Sequence, residues 1–160
     1  MTLPKHVIRL FLIAVLLLTQ TFLIEPHVLA SGVTPPRTAC HIEIGNAHLS
    51  TSIKRKRGLD AVKVNATSTC NFTQRNVQLT VKIFKVGAIT DYLVAQKSTD
   101  PLAAASSGYV VKNQFTFLLC KTSKESFFYG VAYSRAIING KRYTTLPVRS
   151  EDSKPIDCGN

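Results

Sequence analysis

Apolar and polar residues alternate at period two along most of the chain beyond residue 40. Cys40, Ile42 and Ile44 fall on one side of an extended segment, with His41 and Glu43 on the other. Val62, Val64, Ala66, Ser68 and Cys70 oppose Lys63, Asn65, Thr67 and Thr69, and Val77, Leu79, Val81 and Ile83 oppose Gln78, Thr80 and Lys82. Side chains on an extended backbone point alternately to opposite faces, so each run predicts a strand with one buried face. Further strands are expected at Ile89–Gln96, Gln114–Cys120, Phe127–Ile138 and Lys141–Ser150.

Asn139-Gly140 separates the last two runs. A two-residue type I′ turn needs positive φ at both central positions, which Asn-Gly supplies, so a hairpin is expected there. Asp100–Gly108, DPLAAASSG, breaks the alternation and reads as a flexible crossover closed by Ser-Ser-Gly. No segment reads as an amphipathic helix of useful length. About seven strands with turns between them predict an all-β fold, an antiparallel immunoglobulin-like β-sandwich.

The front of the chain departs from this pattern. Lys5, His6 and Arg9 precede the apolar run Leu10–Leu18, and Val28-Leu29-Ala30 ends the segment with small residues that a signal peptidase accepts. Residues 1–30 are expected to be a signal peptide and 31–160 a single secreted domain. Retention as a membrane anchor is the alternative, opposed by the shortness of the run and its Thr19-Gln20-Thr21 interruption. Without the leader the chain keeps 18 Lys and Arg against 8 Asp and Glu, a net +10. Such a balance favours anionic partners without choosing among lipid headgroups, wall polymers, acidic glycans and nucleic acid.

Export also gives the cysteines a use. Cys40, Cys70, Cys120 and Cys158 are an even set with no zinc-like spacing and no C-x-x-C pair, so two structural disulfides are expected. If the strand that starts at Cys40 and the strand that ends at Cys70 pair antiparallel, those two cysteines meet at one end of the sandwich. The Asn139-Gly140 hairpin then returns Cys158 toward Cys120. Cys40–Cys70 and Cys120–Cys158 are the expected bridges, each stabilising by about 3.5–4 kcal/mol in the chain-entropy picture. A core-crossing Cys70–Cys120 bridge is the rival, and the tryptophan that packs on such a bridge is missing from this chain.

Candidate chemistry is sparse. Lys54-Arg55-Lys56-Arg57, ending in Gly58, reads as the tip of the connection between the first two strands: a solvated loop, with anionic-surface contact as its functional reading. Nucleic-acid recognition is disfavoured because the nearest aromatic in sequence is Phe72. His41 and His48 lack metal-ligand spacing, and His48, in a turn with Asn46 and Ser50, reads as hydrogen-bonded rather than catalytic. There is no G-x-S-x-G elbow, isolated carboxylate pair or glycine-rich phosphate loop. No enzyme, metal or cofactor is expected. Asn65-Ala66-Thr67 and Asn71-Phe72-Thr73 match the glycosylation sequon. Tyr129, Tyr133 and Arg135 share a strand face, with Tyr143 across the hairpin; this is either a packing face or a recognition ladder.

The order C-x-I-x-I, N-A-H-L-S, an alternating strand ending in cysteine and a closing I-D-C-G resembles a group of small exported actinobacterial proteins with four cysteines and a β-sandwich. The segment YSRAIINGKRYTTLPVRSEDSKPIDCG carries most of the likeness. That resemblance implies export, disulfides and the fold, and it supplies no site. The secreted chromoprotein apoproteins are also sandwich-like and doubly bridged, but their closely spaced cysteine pairs differ from the wide spacings here. The expectation is a non-catalytic binding or envelope-associated protein whose partner is another protein or an anionic surface polymer, without nucleic acid. A small secreted hydrolase or inhibitor-like protein is the alternative.

Overall fold

The computed structural model describes residues 40–159; the leader expected at 1–30 lies outside them. Twelve strands and one short helix fill this stretch. Seven strands have five residues or more: β1 (Cys40–Ile44), β3 (Ala61–Cys70), β4 (Gln74–Lys85), β5 (Tyr92–Ser98), β7 (Val110–Leu119), β8 (Thr122–Ser126) and β9 (Phe128–Ile138). Five are short: β2 (His48–Leu49), β6 (Leu102–Ala105), β10 (Lys141–Thr144), β11 (Val148–Arg149) and β12 (Ile156–Gly159). All pairings among them are antiparallel.

Two layers result. In the first, β3 is central, with β1 and β2 along one side and β7 along the other. In the second, β9 and β4 are central, flanked by β10 and β11 beyond β9 and by β5 and β6 beyond β4. A third, two-stranded sheet joins β12 to β8. The alternation sorts residues as expected. Val62 and Val64 on β3 and Val77, Leu79, Val81 and Ile83 on β4 are fully buried and meet in one core with Phe128 and Ala132. Each such burial is worth about 1.5–3 kcal/mol. Asn113 of β7 is a polar clamp within this core. Its Nδ2 donates to Leu79 O and Lys97 O of the facing sheet, while its Oδ1 accepts from Thr116 Oγ1.

Both expected disulfides are present, Cys40–Cys70 and Cys120–Cys158. The Asn139-Gly140 hairpin is present too, with φ of 49° and 76° at its two residues and Lys141 paired with Ile138.

Three local expectations need correction. Asp100–Gly108 is not a loose crossover: Leu102–Ala105 forms β6 on the first half of β4. At twelve residues β4 outruns β5, and the edge left open gives an alanine-rich segment of weak β propensity its pairing partner. The expected strand Lys141–Ser150 is split at Pro147 into β10 and β11, since proline has no N–H for a ladder. Finally, Lys54–Arg57 is not a loop tip. Thr51–Arg57 forms helix α1, with Ser50 as N-cap accepting from Ile53 N and Gly58 in the left-handed C-cap conformation. The four cations occupy its last turn, where positive charge is favoured by the helix dipole.

Candidate functional site

The outward face of the β9–β4 sheet concentrates cations and aromatics, and its rows follow from register. Arg142, Ile137, Arg75 and Ala104 form one cross-strand row. Next come Thr144, Arg135 and Gln78, and then Tyr133, Thr80 and Ser98. Arg149, Val131, Lys82 and Gln96 form the fourth row, and Tyr129, Phe84 and Leu93 the fifth. Five cations therefore share one face: Arg75, Lys82, Arg135, Arg142 and Arg149.

The rows differ electrostatically along the strands. At the fifth row the Tyr129 hydroxyl donates to Asp91 Oδ2, and Phe84 stacks on the Tyr129 ring at 5.1 Å. The Arg149 guanidinium lies 3.8 Å from the centre of that ring and pairs with Asp152. Burial first, and then the Asp91 carboxylate, push the Tyr129 phenol above its ordinary value; Arg149 pulls the other way. This corner is internally neutralised and closed. Tyr133, in the third row, has Lys82 at 5.7 Å and Arg135 at 5.4 Å from its ring centre. Among the described residues, Arg75, Lys82, Arg135 and Arg142 have no carboxylate within ion-pairing distance. The far end of the face is thus uncompensated positive charge.

A bulge shapes that end. The β4–β9 register shifts between Arg75 and Gln78, and Asn76 takes a left-handed φ of 48°. An extra residue in one strand bends it and re-aims the neighbouring side chains. Two open depressions adjoin here and share Asn76 and Ile137. One, of about 650 Å³, is lined by Gln78, Arg135, Arg142 and Thr144, and the other by Arg75, Asn139 and Gly140. Neither lining contains an acidic residue; Asp100 adjoins the lining residue Pro101 without joining it.

The other candidates are dispersed. Tyr143 opposes Ala136 in register, so its Cβ points to the face opposite that of Tyr133 and Arg135, yet it lines the same depression as Arg135 and Arg142. The cations of α1 sit beside the other layer. Lys54 pairs with Asp60 at 2.9 Å, and Arg57 lies 5.6 Å from the ring centre of Phe117 on β7. An aromatic absent from the neighbouring sequence is thereby supplied by the fold. His41 is exposed beside Glu43, and exposed His48 makes a 3.0 Å hydrogen bond from Nδ1 to Asn46 O. The two histidines pair with Thr69 and Lys63, well apart along β3. Among the described residues no cluster of three His, Cys, Asp or Glu side chains is placed to hold a metal. Of the sequons, Asn71 is exposed in the β3–β4 turn, whereas Asn65 is half-buried within β3.

The cations Arg75, Lys82 and Arg142 were not singled out from sequence. Arg75 and Lys82 lie seven residues apart on β4 and Arg142 follows Lys141 on β10, and only cross-strand register brings them beside Arg135. No protein-family model and no curated protein matches the chain.

Proposed function

We propose that this is an exported, non-catalytic binding protein whose outward β9–β4 sheet face holds an oxyanion-bearing polysaccharide. The observation that carries this is the set of five cations on one face, of which Arg149 alone has a carboxylate partner among the described residues. Unpaired guanidinium and ammonium groups on a common surface attract a polymer with repeated negative charge and steer its approach. The two disulfides fit an oxidising, extracellular compartment. No helix among the described residues is long and apolar enough to cross a membrane.

Occupation of the ring faces favours a polysaccharide over nucleic acid. Base recognition on such a surface uses free aromatic faces as stacking platforms. Here the Tyr129 ring is stacked on Phe84 and covered by Arg149, and Tyr133 is flanked by two cations. The rings position the cations, and the cations meet the ligand. Helix α1 lends long-range charge on the other layer.

The test is retention of the disulfide-bonded protein on immobilised dextran sulfate, phosphomannan, polygalacturonate and single-stranded DNA at low salt. The reading expects retention on the sulfated or phosphorylated glycan, eluted by salt. Equal or stronger retention on DNA would transfer the face to nucleic acid. No retention on any polymer would leave a protein partner in its place.

A further inference from the structure

Resting on that reading of the face, we infer that the Arg75, Arg135 and Arg142 end of the sheet is a discrete site for a tetrahedral oxyanion, a phosphate or sulfate ester carried by the bound polymer. Arg142 and Arg75 flank Ile137 from the strands on either side. At an inter-strand spacing of about 4.8 Å, their backbones stand about 10 Å apart with both side chains on the outer face. Arg135 lies two residues from Ile137 on the same side of β9. Three guanidinium groups thus arise from three adjacent strands around one apolar floor. The bulge at Asn76 interrupts the register between Arg75 and Gln78, and the depression lined by Arg135, Arg142 and Thr144 meets the one lined by Arg75 at Asn76 and Ile137, which provides the room.

The ligand class follows from the donors. A planar carboxylate presents two oxygens in one plane, a shape matched by a single bidentate guanidinium. An ester phosphate or sulfate presents three terminal oxygens in three directions, matching guanidinium forks that arrive from three strands. Thr144 lines the same depression and adds a hydroxyl donor. Among the described residues none of the three arginines is held by a carboxylate, so anion binding breaks no existing ion pair. All three are exposed, so neutral replacements leave the core untouched.

The experiment is an amide chemical-shift titration of the intact disulfide-bonded protein with inorganic phosphate, inorganic sulfate and acetate at matched ionic strength. Dextran sulfate binding is measured in parallel. Phosphate and sulfate are expected to give saturable shifts confined to residues 75–78 and 135–144, with acetate about tenfold weaker. R135Q/R142Q is expected to abolish saturation, and R135K/R142K to weaken it about tenfold while keeping the charge. Tighter saturable binding of phosphate than of sulfate, compared at a pH where phosphate is a dianion, identifies phosphate as the preferred ester. The reverse preference identifies sulfate. Acetate equal to phosphate, or shifts spread evenly over all basic residues, overturns the site. If dextran sulfate still binds in that case, the surface reading stands without the site; if it does not, both fall.

Discussion

Cys40 is the antiparallel register partner of Cys70, so the first disulfide joins two residues that the β1–β3 ladder already places opposite each other. The second bridge has a different task. Cys158 lies on β12, which pairs with β8 alone in a two-stranded sheet, and its link to Cys120 ties that tail to the end of β7. An isolated two-stranded unit is marginal in water. Removing either bridge as a Cys→Ser pair is expected to cost about 2–5 kcal/mol in urea unfolding. Hydrogen exchange separates the two: loss of Cys120–Cys158 exposes residues 156–159 at once, and loss of Cys40–Cys70 leaves them protected.

Asn113→Leu is expected to cost about 2–3 kcal/mol or more, because it leaves the Thr116 hydroxyl and one bond each to Leu79 O and Lys97 O unmade in a dry core. Thr116→Val breaks one bond of the same network and is expected to cost about 1 kcal/mol. Equal costs for the two substitutions would contradict a clamp centred on Asn113.

Gly130 is the close approach between layers. A Cβ there would lie 2.6 Å from Val64 Cγ1 and 2.8 Å from Ile44 Cδ1. Gly130→Ala is therefore expected to destabilise by about 1–3 kcal/mol through overpacking. Val64→Ala opens a cavity on its own but removes the closest of these contacts, leaving that of the flexible Ile44 end, so a double-mutant cycle is expected to show favourable coupling. Additive costs would mean that the layers move apart instead.

The phenol of Tyr129 gives a pH dependence of defined sign. Its folded value lies above the ordinary 10.0, raised by burial and by Asp91. A raised value means that the protonated form is held more tightly in the folded state. Its contribution is complete below pH 10 and is lost as pH rises through the folded value. Chemical denaturation between pH 8 and 11 is expected to show Tyr129→Phe with a shallower alkaline loss than the parent, by spectroscopy at matched ionic strength. Identical slopes would remove Tyr129 from the alkaline transition.

The long strands and both bridges were legible in sequence for one reason. Period-two burial is a local property of an extended chain, and two covalent links among four cysteines follow once strand order is known. The cations of α1 are legible as a run, although a segment this short carries too little periodicity to mark a helix. Ser50 and Gly58, the two residues that cap the helix, were written there all the same. The basic sheet face was only partly legible. Tyr129, Tyr133 and Arg135 lie at period two on one strand and declare a common side. Arg75 and Lys82 join them through the pairing of β9 with the distant β4, and Arg142 through the β9–β10 hairpin; Tyr143, whose pairing with Ala136 turns its Cβ to the other side, still lines the depression beside Arg135 and Arg142. Short-range patterns specify faces; long-range register specifies which faces share a neighbour.

Charge on the β9–β4 face as the holder of an anionic polymer is put to the test by the salt dependence of dextran sulfate affinity. Three disulfide-bonded proteins are compared: the parent, a variant with Arg75, Lys82, Arg135 and Arg142 replaced by Gln, and a variant with Lys54–Arg57 replaced by Gln. Screening weakens such contacts steeply as salt rises. The face variant is expected to lose most of the affinity and most of the salt slope, and the helix variant to keep most of both. A face variant that binds like the parent, or a helix variant that loses more, would contradict it.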